Sequence, residues 1–271
     1  MTKPRVYKTE AIVLKRINLG EADNIITLYT PNLGKVRAVA KGARRPKSKL
    51  GGHLDLLTQS ALLLAQGQNL DVITQSQTIE SFISLRSDLW RTGCAIYLAE
   101  LVDQFTPEHV ENYPVYGLLK TTLSWLCEAR NNELVLRYFE LHLLRHLGYQ
   151  PELYRCLSCK STLKPERNFF SASGGGVVCP NCTRKESLVR PVSTEALKVM
   201  RFLIDNDHIS AGRLRISPDL SHELEQLIRE YIRYLLEREV KSVGFLDRLR
   251  VEDDCSNSGF NNSRYFSRST T

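Results

Sequence analysis

Two pairs of cysteines are the residues of this sequence whose spacing most directly implies chemistry. Cys156 and Cys159 form one Cys-x-x-Cys pair, and Cys179 and Cys182 form another after nineteen intervening residues. Each pair forms a tight turn that directs two thiolates to one point, and the segment between them is long enough to return as a hairpin through the glycines 174–176. The spacing predicts one structural Zn²⁺ per chain, because four thiolates leave no coordination position for water or substrate.

Other interpretations of the cysteines fit the sequence less well. A redox dithiol usually lies at a helix N-terminus after a strand in a βαβ unit, and the pattern around these pairs lacks that context. Two unrelated thiol pairs remain the other alternative. Cys94 and Cys127 fall on helical patterns and are expected to be packing residues, while Cys255 lies near the C-terminus.

The segment 35–49 is the second feature that implies chemistry, because it holds seven basic residues and no acidic one. Its first half alternates as a strand, which places its basic side chains on one face. Its second half is broken by Gly42 and Pro46 and is expected to be a flexible loop. A cationic loop beside a barrel strand favours contact with a phosphate backbone, although a solvated, solubilising loop is the alternative. The candidate DNA-binding residues are Lys35, Arg37, Lys41, Arg44, Arg45, Lys47 and Lys49, with Lys15 and Arg16 as an extension.

The net charge of +7 is concentrated in two segments. Residues 1–80 carry 12 basic and 6 acidic residues, for a net charge of +6, and residues 150–191 carry 7 and 3, for +4. The remainder carries −3. A localised basic surface is typical of a protein that binds a polyanion, although an anionic membrane or an acidic protein partner would produce the same pattern.

Common enzyme motifs are incomplete in this sequence. The segment around Gly34-Lys35 lacks the glycine spacing of a phosphate-binding loop, and no dinucleotide-binding glycine motif occurs in an alternating βαβ pattern. His109-x-Glu111 followed by Cys179 and Cys182 resembles a zinc deaminase only in part, because Val178 replaces the proline. We therefore expect no catalytic site and no enzymatic activity.

Composition places the chain among ordinary globular proteins. It has 271 residues, of which 42% are apolar and 25% charged, and length alone favours two domains. No apolar run approaches the roughly 18 residues of a membrane span, and no apolar signal core follows the N-terminus. An odd number of cysteines, seven, argues against a disulfide scaffold. We expect a cytoplasmic protein.

The hydrophobic period changes near residue 82, which predicts a β domain followed by a helical one. The predicted strands are Lys8–Ile17, Asn24–Thr30, Lys35–Lys41, Leu54–Leu64 and Leu70–Glu80. Five short strands fit an OB-fold barrel, and an SH3-like barrel almost as well. The predicted helices are Asp88–Phe105, Pro114–Ala129, Glu133–Leu147, Ser193–Asp205 and Pro218–Glu239. The expected fold class is a multidomain α+β chain with a barrel at 1–82, a helical domain at 83–150 and 191–250, a zinc-finger insertion at 151–190 and a disordered tail at 251–271.

This combination of motifs resembles the RecO family of bacterial DNA repair proteins over about residues 6–250. The motifs that carry the resemblance are Thr9–Lys15, Leu19–Asp23, Thr27–Thr30, Gly34–Arg45, Leu147–Leu153, Val240–Ser242 and Phe245-Leu246. Lys160 departs from the family pattern, in which a small residue such as glycine often follows the second cysteine.

The resemblance implies an OB-fold barrel and a non-enzymatic mediator of recombinational repair. Such proteins bind single- and double-stranded DNA, anneal complementary strands and, with RecR and RecF, help to load the recombinase RecA onto strands coated by single-strand binding protein. The barrel is expected to contact DNA and RecR, and the helical domain to receive the acidic tail of single-strand binding protein. Candidates for that tail site are Arg201, Arg229 and Arg233. A nucleoid-associated location in the cytoplasm is implied.

Two other function classes remain open from the sequence. A zinc-ribbon RNA-binding or translation-associated protein with a barrel would share the cysteine pairs and the basic segment. A protein-interaction adaptor would share the fold but would have no affinity for nucleic acid at moderate salt.

Overall fold

Alternating apolar residues build a closed five-stranded barrel at the start of the chain. The structure, a computed structural model, describes residues 6–185 and 189–259. The barrel strands are β1 Val6–Leu19, β2 Asp23–Thr30, β3 Gly34–Ala40, β4 Gln59–Ala65 and β5 Asp71–Glu80. Their order is β1-β2-β3-β5-β4, and the parallel pairs Ala38↔Asp71 and Val39↔Val72 join β3 to β5. The result is the OB-fold barrel rather than an SH3-like one.

The fourth strand begins later than the sequence predicts. Residues 51–53 form a short 3-10 turn, and Leu57 has a left-handed backbone with φ of 67°. The Leu57 amide donates a hydrogen bond to the Val13 carbonyl at 2.9 Å. This contact with β1 holds Leu54 and Leu57 in a buried connection, and the regular strand starts only at Gln59.

The barrel interior is filled by small and branched apolar side chains, as expected for a barrel of this size. Its core members are Ala11, Val13, Ile26, Leu28, Val36, Ala38, Ala40, Leu54, Leu62, Leu64 and Ile73. Side chains at Ile12, Leu14 and Tyr29 face outward and are buried in the larger core of the helical domain. The barrel therefore packs directly against that domain through one part of its outer wall.

The connection between the first two helices packs against β3 at the junction between the barrel and the helical domain. The His109 amide donates to the Lys35 carbonyl at 2.9 Å, and Lys35 Nζ lies 3.1 Å from Asp103 Oδ1. A Cβ added at Gly34 would lie only 1.9 Å from the Val110 carbonyl oxygen, and Gly34 has φ of +62°. Only glycine fits this close backbone approach without strain.

Seven helices, among the described residues, form the second domain. They are α1 Leu89–Phe105, α2 Tyr113–Glu128, α3 Asn132–His146, α4 Thr194–Asp205, α5 His208–Ala211, α6 Pro218–Leu236 and α7 Lys241–Gly259. Side chains that accept a hydrogen bond from an amide of the first turn cap six of them. The capping residues are Asp88, Asn112, Asn131, Ser193, Asp207 and Ser217. Ser193, at the start of the predicted helix Ser193–Asp205, is the N-cap of α4.

A buried ionic network joins α3, α6 and α7. Arg137 Nη2 lies 2.7 Å from Glu140 Oε1, and both side chains are almost fully buried. Glu225 on α6 accepts contacts from Arg229 at 2.7 Å and from Arg250 of α7 at 2.5 Å. Burial raises the pKa of Glu140, whereas Arg137 leads the charges that outweigh burial and lower the pKa of Glu225. These contacts fix the last helix against the body.

Helix α7 extends to Gly259, nine residues into the segment that the sequence predicts to be a disordered tail. The rest of that predicted tail, residues 260–271, lies outside the described residues. No described helix combines the length and the apolarity that a membrane span requires.

Candidate metal centre and nucleic-acid interface

The four paired cysteines meet at one point between α3 and α4. The Sγ atoms of Cys156, Cys159, Cys179 and Cys182 all lie within 4.8 Å of one another. The Sγ atoms of Cys159 and Cys179 are 3.9 Å apart. Thiolates at about 2.3 Å from a tetrahedral zinc would be roughly 3.8 Å apart. The arrangement is therefore consistent with a zinc site in which no coordination position is left open.

Local hydrogen bonds shape the first cysteine turn. The Lys160 amide donates to the Cys156 carbonyl at 2.9 Å, and the Cys156 amide donates to the Ser161 carbonyl at 2.9 Å. Lys160 adopts a left-handed backbone with φ of 60°. Glycine is favoured in this conformation because it has no Cβ, so Lys160 carries backbone strain that a glycine at this position would not.

A short antiparallel sheet positions the second cysteine pair. Strand β6 Asn168–Ser171 pairs antiparallel with β7 Gly176–Val178, which confirms the predicted hairpin, and with β8 Val189–Val192. Cys179 follows β7 directly, and its amide donates to Cys156 Sγ at 3.3 Å. The hairpin is anchored to α6, where the rings of Phe170 and Tyr231 meet edge to face with centroids 5.7 Å apart.

Electrostatics at the cluster favours thiolates in the first pair. Hydrogen bonds from the side chain and backbone of Ser161 lower the pKa of Cys159 to about 6. Burial opposes ionisation of Cys156, but the backbone amides of Cys159 and Cys179 help to outweigh it, so the pKa of Cys156 is lowered. The hydrogen bond with the Cys179 thiol, followed by desolvation, raises the pKa of Cys182 to about 12. Full ionisation of this set therefore needs a cation at its centre.

Replacing Lys160 with glycine is expected to raise the midpoint of thermal unfolding by about 2–4 °C, as roughly 1 kcal/mol of backbone strain is removed. Scanning calorimetry of the metal-loaded protein measures the change. Lys164→Gly is the matched control, because Lys164 is exposed in the same finger and is not among the residues with positive φ. A gain of equal size in both variants would show that the conformation of Lys160 is not the cause.

The second half of the basic segment is an exposed loop beside the barrel, and hydrogen bonds hold its start against the turn between β1 and β2. The Gly42 amide donates to Asp23 Oδ1 at 2.7 Å, and the Arg44 amide donates to the Ala22 carbonyl at 2.9 Å. Ala43 is buried in the barrel core. These contacts fix the segment to the turn between β1 and β2. The side chains that it presents to solvent are Lys41, Arg44, Arg45, Lys47 and Lys49.

Lys35 and Arg37 occupy different environments on β3, although they share one face as predicted. The Lys35 side chain is only 12% exposed and is held by Asp103. It belongs to the junction between barrel and helical domain, which the sequence could not reveal because Asp103 is 68 residues away. Arg37 is exposed, and its guanidinium lies 3.7 Å from Glu108. We therefore exclude Lys35 from the exposed basic surface and retain Arg37.

Lys15 and Arg16, which are adjacent on β1, also occupy different environments. Strand pairing aligns Lys15 with Thr27 and Thr27 with Arg37, so Lys15 and Arg37 lie in one row across β1, β2 and β3. Lys15 is exposed and extends the surface. Arg16 instead contacts Asp55 at 2.9 Å. The basic surface is therefore defined as Lys15, Arg37, Lys41, Arg44, Arg45, Lys47 and Lys49.

All three arginines considered for a protein-tail site have polar contacts within the chain, and they differ in exposure. Arg201 Nε donates to the Leu153 carbonyl at 2.9 Å and holds the start of the finger against α4. Arg229 bridges Glu225 and Asp247. Arg233 is 59% exposed and lines a cavity of about 290 Å³ between α1, α6 and α7.

Family comparisons cover nearly the whole chain. Residues 1–82 match the family model described as "Recombination protein O N terminal", and residues 86–243 match "Recombination protein O C terminal". A DNA repair protein RecO from Dehalococcoides mccartyi strain CBDB1 is 44% identical over 253 residues, covering 93% of this chain and 100% of that protein. Its counterpart from Roseiflexus sp. strain RS-1 is 43% identical over 272 residues, covering 99% and 96%. The one from Symbiobacterium thermophilum is 38% identical over 248 residues, covering 90% and 98%.

Proposed function

The chain belongs to the RecO family, and on that premise we propose that it is a non-enzymatic recombination mediator that binds and anneals single-stranded DNA. With RecR, it helps to load RecA onto strands coated by single-strand binding protein. The observation that carries the proposal is the basic surface, whose exposed cations lie on the outer wall of an OB-fold barrel. A basic groove on such a barrel is the common means of holding a nucleic-acid backbone.

The basic surface provides a physical mechanism for the proposed annealing. Two complementary strands repel each other, and a cationic surface that contacts both lowers this repulsion. Contacts to phosphates are independent of sequence, so one strand can change register against the other until pairing is complete. The step breaks and forms no covalent bond, and so it needs no catalytic group.

The cysteine cluster would hold Zn²⁺ in a structural role. Thiolates favour this borderline-soft ion over harder cations, and four of them complete a tetrahedral shell. The ion would join the turn at Cys156 and Cys159 to the end of β7. That link compensates for the small core of the finger, in which β6, β7 and β8 have only three or four residues each.

Protein partners are assigned to separate surfaces. We assign RecR to the barrel and the acidic tail of single-strand binding protein to the helical domain. The cavity beside Arg233 supports the second assignment, because its lining combines basic residues such as Arg190 and Arg233 with the apolar residues Ile232, Val240 and Val243. A carboxylate of the tail would replace Glu239, which lies 3.3 Å from Arg233. We accordingly assign the protein to the cytoplasm, at the nucleoid, where these proposed partners act.

Competition between single-stranded DNA and RNA of the same sequence tests the proposed function. The purified protein is expected to bind labelled single-stranded DNA with little sequence preference, and the affinity is expected to fall steeply as salt increases. RNA that displaces the DNA at much lower concentration would instead support a zinc-ribbon RNA-binding protein. Absence of binding to either at moderate salt would indicate a protein-interaction adaptor.

A further inference from the structure

An apolar row crosses the basic surface on the outer wall of the barrel. Pairing aligns Ile17 with Ile25 on β2 and Ile25 with Val39 on β3. Because the Lys15–Thr27–Arg37 row lies two residues along the same strands, both rows face outward, about 7 Å apart. Ile17 is 44% exposed, and Ile25 and Val39 are partly exposed. Three aliphatic side chains therefore form a continuous apolar strip that is open to solvent.

Basic side chains lie on both sides of this strip. Lys15 and Arg37 lie on the side nearer the helical domain. On the other side, Lys41 follows the end of β3, and Arg44 Nη1 donates to the Gly20 carbonyl at 3.1 Å, which holds its side chain across the β1–β2 turn. An occupant of the strip must therefore be apolar at its centre and anionic along its edges. Unpaired bases joined by a phosphate backbone have that chemistry, and a duplex hides its bases.

We propose that Ile17, Ile25 and Val39 form a base-contacting strip that makes the barrel selective for single-stranded over duplex nucleic acid. The inference rests on the proposed DNA-binding function and names the surface that distinguishes its two substrates. The basic side chains hold phosphates of either form, while the strip covers the faces of bases that only a single strand exposes. Aliphatic contacts here replace the aromatic stacking that many single-strand binding barrels use.

The double variant Ile17→Thr/Val39→Thr tests the strip, because threonine keeps β-branching and removes apolar surface without removing charge. The probes are a deoxythymidine oligonucleotide, an abasic oligonucleotide of equal length and a duplex of equal length. We expect the affinity of the double variant for the deoxythymidine oligonucleotide to be about five- to tenfold lower than that of the wild type, with little change for the other two probes. The slope of log affinity against log salt is expected to stay the same, since no phosphate contact is lost.

Two further variants control this experiment. Ile79→Thr removes an equally exposed isoleucine from β5, outside the strip, and is expected to behave as the wild type. Val39→Tyr adds a ring and is expected to increase the preference for deoxythymidine over the abasic probe. Thermal unfolding shows whether each variant is folded. If the double variant is unfolded, the single variant Ile17→Thr is tested in its place.

The outcomes separate this inference from the function on which it rests. If the double variant binds the deoxythymidine oligonucleotide as the wild type does, or loses affinity equally for the abasic probe, the strip does not contact bases. Either result would leave the proposed DNA binding uncontradicted. If the wild type sediments as a dimer and the double variant as a monomer, with all three affinities unchanged, the strip is a self-association surface and the inference is wrong. If the wild type binds none of the three probes, the proposed DNA-binding function is contradicted together with the strip.

Discussion

Reversing Arg44, Arg45, Lys47 and Lys49 to glutamate is expected to abolish DNA binding at moderate salt while the helical domain stays folded. All four side chains are exposed, and the main-chain contacts of Arg44 that fix the segment do not depend on its side chain. If each cation contacts one phosphate of a single strand, the salt slope falls by about three. Affinity is expected to fall by at least about a hundredfold. Fluorescence anisotropy across a salt series measures both quantities.

A control variant of equal charge distinguishes a local surface from a general electrostatic effect. Lys120, Lys198, Arg215 and Arg238 are exposed on the helical domain, and their reversal to glutamate changes the net charge by the same amount. This variant is expected to lose only a small part of the DNA affinity, because its charges lie on the helical domain and none belongs to the basic surface. Similar losses in both variants, or DNA binding that survives the reversal at 44–49, would show that the basic surface is assigned wrongly.

Replacing Cys159 with serine is expected to remove the metal and to unfold the finger between the two cysteine pairs. The Cys159 thiol is exposed, so the change removes a ligand without burying a new polar group. Structural zinc sites in isolated fingers contribute about 10–16 kcal/mol of binding energy, which is more than a segment with so little core can replace. Elemental analysis is expected to give far less than one zinc per chain, and limited proteolysis to cut within residues 160–178.

Cys127→Ser is the matched control for the metal site. Cys127 is partly buried on α2, and its thiol lies 3.4 Å from the Leu123 carbonyl, where a serine hydroxyl can donate in its place. This variant is expected to keep one zinc per chain and a protected finger. A folded wild-type preparation with much less than one zinc per chain would contradict the four-cysteine site itself.

Local signals in the sequence were sufficient for the elements that depend on local interactions. Alternation predicted the five barrel strands. The predicted helices Ser193–Asp205 and Pro218–Glu239 begin at the N-cap of α4 and at the first residue of α6. The spacing of the cysteine pairs predicted the clustering of four thiols, because each turn forms among neighbouring residues. The same alternation correctly placed Lys35 and Arg37 on one face of β3.

Long-range contacts account for what the sequence did not predict. The basic segment forms a loop as predicted, but the sequence did not reveal that hydrogen bonds to Ala22 and Asp23 hold the start of this loop against the β1–β2 turn. Lys35 is removed from the basic surface only because Asp103 packs beside it. Helix α7 was missed because its contacts are long-range. Leu246 and Leu249 are buried beside Gly93 of α1, and Arg250 pairs with Glu225 of α6. The apolar strip was missed because its members come from three strands, and only the register brings them together.

Annealing of complementary oligonucleotides coated with the cognate single-strand binding protein tests the central claim most directly. The wild type is expected to anneal the coated strands, faster with RecR than without it, and the reversal at residues 44–49 is expected to eliminate the activity. A wild-type protein that binds bare single strands but leaves coated strands unpaired, with and without RecR, would contradict the assignment as a recombination mediator.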